Sequence, residues 1–152
     1  RTTEELIGAA DAYATGAELV SRFDHVLAER DYAEIYLPCI SVNQDHRVVH
    51  EAMLSALRPS VARPALRRVC AYEYALSSWP HAANDGGNYY VSITDELDTK
   101  LKALECYQTQ IKPYPHPCSR GAVIALAHYR GMESGMVAAE MFYILREIEH
   151  AT

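Results

Sequence analysis

The chain has 152 residues, 49% hydrophobic and 22% charged, and 20 acidic against 14 basic side chains give −6 with neutral histidines. That balance fits one globular domain, 1–152, able to bury a sizeable core, and its sign argues against duplex nucleic acid or an anionic membrane surface as partner. Every apolar run is interrupted well short of a membrane span, and the patterned apolar residues argue against disorder.

The elements can be predicted in chain order. Residues 1–16 are alanine-rich and weakly patterned, helical or irregular; the chain opens at Arg1 with neither methionine nor a charged-then-apolar leader. That start reads as a cut inside a longer domain, not as a signal peptide. From Glu18, the spacing of Leu19, Val20, Phe23, Val26 and Leu27 predicts a helix. Ile35-Tyr36-Leu37, stopped by Pro38, predicts a buried strand. A polar turn is expected over 41–46, then a helix with Val49, Ala52, Met53, Ala56 and Leu57 on one face and Pro59 past its end.

Further on, 69–74 reads as a strand and 77–88 as a long loop carrying Trp79, Pro80 and Gly86-Gly87. A short strand over 89–93 leads into a helix bearing Leu97, Leu101 and Leu104, with Thr94 or Asp95 as its cap. Pro113, Pro115 and Pro117 exclude regular structure over 111–119. Residues 122–130 predict a helix with Gly131 as its stop. The last segment fits a helix through Val137, Met141, Ile144 and Ile148, or a strand through Ala139, Met141, Tyr143 and Leu145. Periodicity alone does not separate the two. Alternating helices and strands point to an α/β layer.

Cys39, Cys70, Cys106 and Cys118 are far apart, without a C-x-x-C pair, so neither a zinc ribbon nor a thioredoxin-type site is expected. Four cysteines could also form disulfides, but in a chain with this much core they read rather as free thiols, for which a reducing cytoplasm is the expected setting.

Asn43-Gln44-Asp45-His46-Arg47-Val48-Val49-His50-Glu51-Ala52 is the stretch richest in chemistry. It sets a carboxylate beside an imidazole where a strand-end loop enters a helix, the usual ligand side of an open α/β sheet. His46 and His50 have the spacing of the two ligands in the H-E-x-x-H zinc helix, but Arg47 stands where that motif has its glutamate, so a zincin is excluded. Taken alone, the stretch also reads as structure: Asp45 capping the helix, His46 in its first turn and His50 packed.

This stretch resembles the second signature of the LmbE-like, or PIG-L-like, zinc de-N-acetylases, in which an Asp-His pair opens a helix reading D-H-R-x-V-x-x-A. The likeness continues through Asn88 to Thr94 and the Lys100-x-x-Ala103-Leu104 segment to Tyr107-Gln108-Thr109-Gln110, similar to the family's Y-x-S-Q ending. His116-Pro117-Cys118-Ser119, Tyr129-Arg130-Gly131 and Ala139-Glu140-Met141-Phe142 are similar to its closing motifs. The shared order, over about Glu18 to Arg146, makes the combination more specific than any single piece.

The resemblance implies a Rossmann-like α/β fold, a layered sheet with flanking helices, and one catalytic Zn2+ with an open position for water. By matching position, His46 would be the third zinc ligand. The other two ligands and the base belong to a His-Pro-Asp-Asp motif that does not occur before Asp45. The chain is therefore expected to be the C-terminal portion of such a domain, incomplete in its sheet, inactive alone and prone to self-association as a homo-oligomer. Asn43 occupies the place of a histidine that assists at the oxyanion in many members; an amide donates a hydrogen bond there but does not shuttle protons. Asp45 would orient His46, or simply cap the helix.

Arg47, His116, Arg130 and Glu140 are the candidate substrate contacts, against solvated charge for Arg47, a proline-loop histidine for His116 and ion pairing for Arg130 and Glu140. Cys118 stands where related sequences often carry arginine. Trp79, Tyr89 and Tyr90 are candidates to stack on a sugar or to fill the core, and Tyr72 and Tyr74 read as strand packing.

The function expected from the resemblance is removal of acetyl from an N-acetylated amino sugar, such as a GlcNAc conjugate, with that small molecule as partner. A non-catalytic relative serving as a binding or assembly module is the alternative. A nucleotide-binding domain ranks last, because no Gly-rich turn follows a strand.

Overall fold

The computed structural model describes residues 16–74 and 87–149. The expectations for 1–15 and for most of the loop with Trp79 lie outside them. The fold is mixed α/β: helix α1 (Gly16–Glu29), strand β1 (Glu34–Pro38), helix α2 (Gln44–Ala56), strands β2 (Arg68–Tyr72) and β3 (Tyr89–Ser92), helices α3 (Leu97–Glu105) and α4 (Arg120–Ser134), and strand β4 (Ala139–Glu147). The strands form one mixed sheet in the order β1-β2-β4-β3, flanked by helices. The chain divides into two compact units, one of the residues up to Cys70 with those from Leu145 onward, the other Ala71–Ile144.

In the first unit the predicted apolar stripe of α1 is the buried one: Leu19, Phe23 and Leu27 face inward at four-residue spacing. They join Ile35 and Leu37 of β1 and Ala52, Met53 and Ala56 of α2 in a single core. His50 is buried with them, its Nδ1–H donating to the Pro38 carbonyl at 2.7 Å, which ties α2 to the end of β1. One side chain secures the far ends of both helices. Arg63 donates through Nη1 to the Leu27 carbonyl and through Nη2 to the Ala56 carbonyl, each at 3.1 Å. Carbonyls in a helix's last turn lack intrahelical donors, so a guanidinium there satisfies them and opposes the helix dipole.

The polar segment before α2 is shorter than the sequence suggests. The helix begins at Gln44, so Gln44, Asp45 and His46 belong to its first turn, and Asn43 rather than Asp45 is its N-cap. Position decides this: the cap needs extended backbone just outside the helix, and Asn43 has it (φ −72°, ψ 120°).

In the second unit β3 and β4 pair antiparallel, Tyr89 opposite Phe142 and Ser92 opposite Ala139. Tyr89 and Phe142 also make a tilted ring contact at 5.9 Å. This pairing settles the ambiguous last segment as a strand. Two terminal expectations change. Neither Thr94 nor Asp95 caps α3, whose cap is Glu96 without a side-chain bond, while Thr94 is drawn toward Ser92 at 3.1 Å. Gly131 lies inside α4; the stop is Gly135, in the left-handed region at φ 72°. Gly131 serves a close approach instead, since a Cβ there would lie 2.7 Å from the carbonyl oxygens of Met136 and Val137.

Candidate functional site

The first candidate region is the opening turn of α2. Asn43 Oδ1 accepts the Asp45 N–H at 3.2 Å, and the Asn43 N–H donates to Ser41 Oγ at 3.1 Å. Asp45 is exposed in the first turn, where a carboxylate suits the positive end of the helix dipole. His46 is half-buried beside it. Burial holds the His46 imidazole below the usual histidine range, partly offset by the Asp45 charge. Arg47 is exposed and makes no ion pair among the described residues, as a solvated helix-face charge does. His50 lies one turn further along the same helix, committed through Nδ1 to the Pro38 carbonyl.

A zinc ion is not held by this turn alone. No group of three His, Cys, Asp or Glu side chains able to hold a metal ion occurs among the described residues. His46 is the one residue of the ligand set expected from the resemblance that falls among the described residues.

The second region lies in the 71–144 unit and collects several residues singled out from the sequence. A cavity of about 250 Å³ is lined by four charged side chains, Glu73, Lys100, Arg130 and Glu140. Its remaining wall is largely apolar, with Leu104, Val123, Leu126, Ala127 and Met141. Arg130 holds Glu73 through both carboxylate oxygens, Nε to Oε2 at 2.8 Å and Nη2 to Oε1. Their side chains are only 12% and 5% exposed. A buried guanidinium gripped bidentately is the strong form of ion pair. Its third nitrogen, Nη1, donates to Glu133 at 2.5 Å, and Tyr90 Oη donates to the same Glu133 oxygen at 3.3 Å. The Arg130 hydrogen bond is the largest influence on Glu133 and holds its carboxyl below the ordinary range. On another part of the wall Lys100 Nζ donates to Glu140 at 2.5 Å.

Arg130 and Glu140 are thus in ion pairs, with different partners, and both also line the cavity. His116 does not line it. That exposed ring accepts the Cys118 N–H at Nδ1 (3.0 Å) and so shapes the loop that brings Pro117 and Cys118 to the wall. Glu73 was not singled out from the sequence, and Lys100 only as part of the family-like segment, not as a site residue. The one available signal for Glu73 was a carboxylate set between Tyr72 and Tyr74 at the end of an apolar strand.

A larger cavity, about 410 Å³, lies in the other unit among Arg30, Arg58, Arg63 and Asp24. Two of its guanidinia are already engaged: Arg63 by the helix-end carbonyls, and Arg58 by Ser55 and by Asp24 at 3.4 Å. No disulfide joins the four cysteines; Cys39 and Cys70 are buried, and burial pushes the Cys70 thiol up, away from reactivity. No helix among the described residues is long and apolar enough to cross a membrane.

No family model matches the sequence, and no curated protein matches it. Solved structures do share the fold, among them the following two. The conserved protein TT1542 from Thermus thermophilus superposes with a TM-score of 0.67 at 18% identity, over 88% of this chain and 61% of that one. GalB, the 4-carboxy-2-hydroxymuconate hydratase from Pseudomonas putida, superposes with a TM-score of 0.65 at 16% identity, over 90% and 62%. The chain therefore spans less than two thirds of the length of either, and identities this low establish a common fold alone.

Proposed function

We propose that this chain belongs to a zinc-dependent hydrolase that removes acetyl from an N-acetylated amino sugar or glycoconjugate in the cytoplasm. The observation that carries this reading is His46: a half-buried imidazole, flanked by Asp45, in the first turn of the helix that follows β1. The ligand side of an α/β sheet lies at the strands' carboxyl ends, where such turns gather. One fold neighbour is a hydratase, which supports water as a reactant on this scaffold. The reading requires two further ligands and a base from outside the described residues.

A non-catalytic binding module is the second reading, favoured by the cavity in the 71–144 unit, whose charged groups are tied to one another. Zinc content and acetate release, measured on the product of the complete reading frame, separate the two. The hydrolase reading expects bound zinc and acetate release, with His46→Ala losing the metal and on the order of 100-fold or more of the rate while its circular dichroism is unchanged. Full zinc and activity in His46→Ala would reject the ligand role. A wild-type protein that neither binds zinc nor releases acetate would support the binding module.

A further inference from the structure

The geometry points to the cavity of the 71–144 unit as a binding site for a single uncharged aromatic ring bearing a hydroxyl or amide, independent of any metal chemistry. Its volume, about 250 Å³, is below that of sites for drug-sized ligands and suits one ring. Charge complementarity sets what enters. Glu73 is held by Arg130 and Lys100 by Glu140, so each charged group on the wall, among the described residues, already has an opposite partner. A charged ligand would have to break one of these pairs or go into the cavity uncompensated. An uncharged hydroxyl or amide instead shares hydrogen bonds with the paired groups and leaves both pairs intact.

The apolar wall decides between ring types. Leu104, Val123, Leu126 and Ala127 offer no hydrogen-bonding side chain, and Met141 adds a thioether, which packs well on aromatic rings. Tyr74, Gln110 and Cys118 add a few polar atoms to the wall, but a hexose, with hydroxyls all round its ring, would still turn some of them toward the aliphatic groups, whereas an aryl ring places its polar atoms at one edge only. Tyr107, exposed at the rim, supplies an aromatic face at the entrance.

Three one-ring probes of nearly equal size test this: benzyl alcohol, benzoate and benzylammonium, titrated into the full chain and followed by amide chemical shifts, with methyl glucoside as the sugar control. Benzyl alcohol is expected to shift the resonances of Leu104, Leu126, Ala127 and Met141, with both charged probes and the glucoside at least about tenfold weaker. The half-exposed Lys100–Glu140 pair permits a second measurement in proteins whose dispersed spectra show them folded. Glu140→Gln releases Lys100 and is expected to raise benzoate affinity severalfold; Lys100→Met releases Glu140 and should do the same for benzylammonium. The inference is overturned if no probe shifts these residues, if benzoate, benzylammonium or the glucoside matches benzyl alcohol, or if neither variant changes the charge preference.

Discussion

Asn43 closes the N-terminus of α2 with its amide oxygen alone, which makes its structural and chemical roles separable. Asn43→Ala is expected to cost about 0.5–2 kcal/mol, read from urea midpoints, while Asn43→Asp keeps an acceptor and stays near wild type. If acetate release falls in Asn43→Asp but is kept in Asn43→Ser, which also caps but adds no charge and can donate, loss of a donor together with the added charge is the reason and not loss of the cap. The polar run offered two caps, Asn43 and Asp45, and hydrophobic spacing does not say which turn comes first. Glu133 was not singled out: its i,i+3 spacing from Arg130 is an ordinary helix-surface pair, and only the fold adds Tyr90 and ties that Arg130 to Glu73. Its folded carboxyl is held below the ordinary range, so its stabilising contribution is present above that range and is lost as pH falls through the folded value. Urea midpoints of wild type and Glu133→Gln should therefore differ at pH 7 and converge toward pH 3; a constant gap would show that the ion pair is not its source.

Helices with strong apolar stripes, such as α1 and α2, could be read with nearly correct bounds, because burial of one face is what forms them. Strand β4 could not, since its residues suit either period until β3 supplies a partner ladder. The stop of α4 was misplaced by one helical turn for a related reason: two glycines stand four apart, and only backbone geometry shows that Gly135 turns the chain while Gly131 admits the carbonyls of Met136 and Val137. Opposing magnitudes meet at Gly131. Alanine is favoured over glycine in a helix interior by about 1 kcal/mol, but overpacking typically costs about 1–3 kcal/mol, and here the Cβ would press on backbone that yields little. Gly131→Ala is expected to lower the thermal midpoint by several degrees. A raised midpoint would mean that the contact relaxes freely.

The α/β class followed from alternating elements, and the likeness to TT1542 and GalB agrees with it. Strand order did not follow, because nothing local in β1, β2 or β4 names its neighbours. Half of the cavity's charged wall was legible: Arg130 and Glu140 stood out, whereas Glu73 and Lys100 gain meaning only from the side chains they face. The anchoring of two helix ends by Arg63 carries a practical warning for any metal assay. The helix that presents His46 is braced at its opposite tip, so disturbing that brace can swing the imidazole without touching it. A substitution at Arg63 can therefore imitate a missing ligand, and helix content must be checked before lost metal is blamed on coordination.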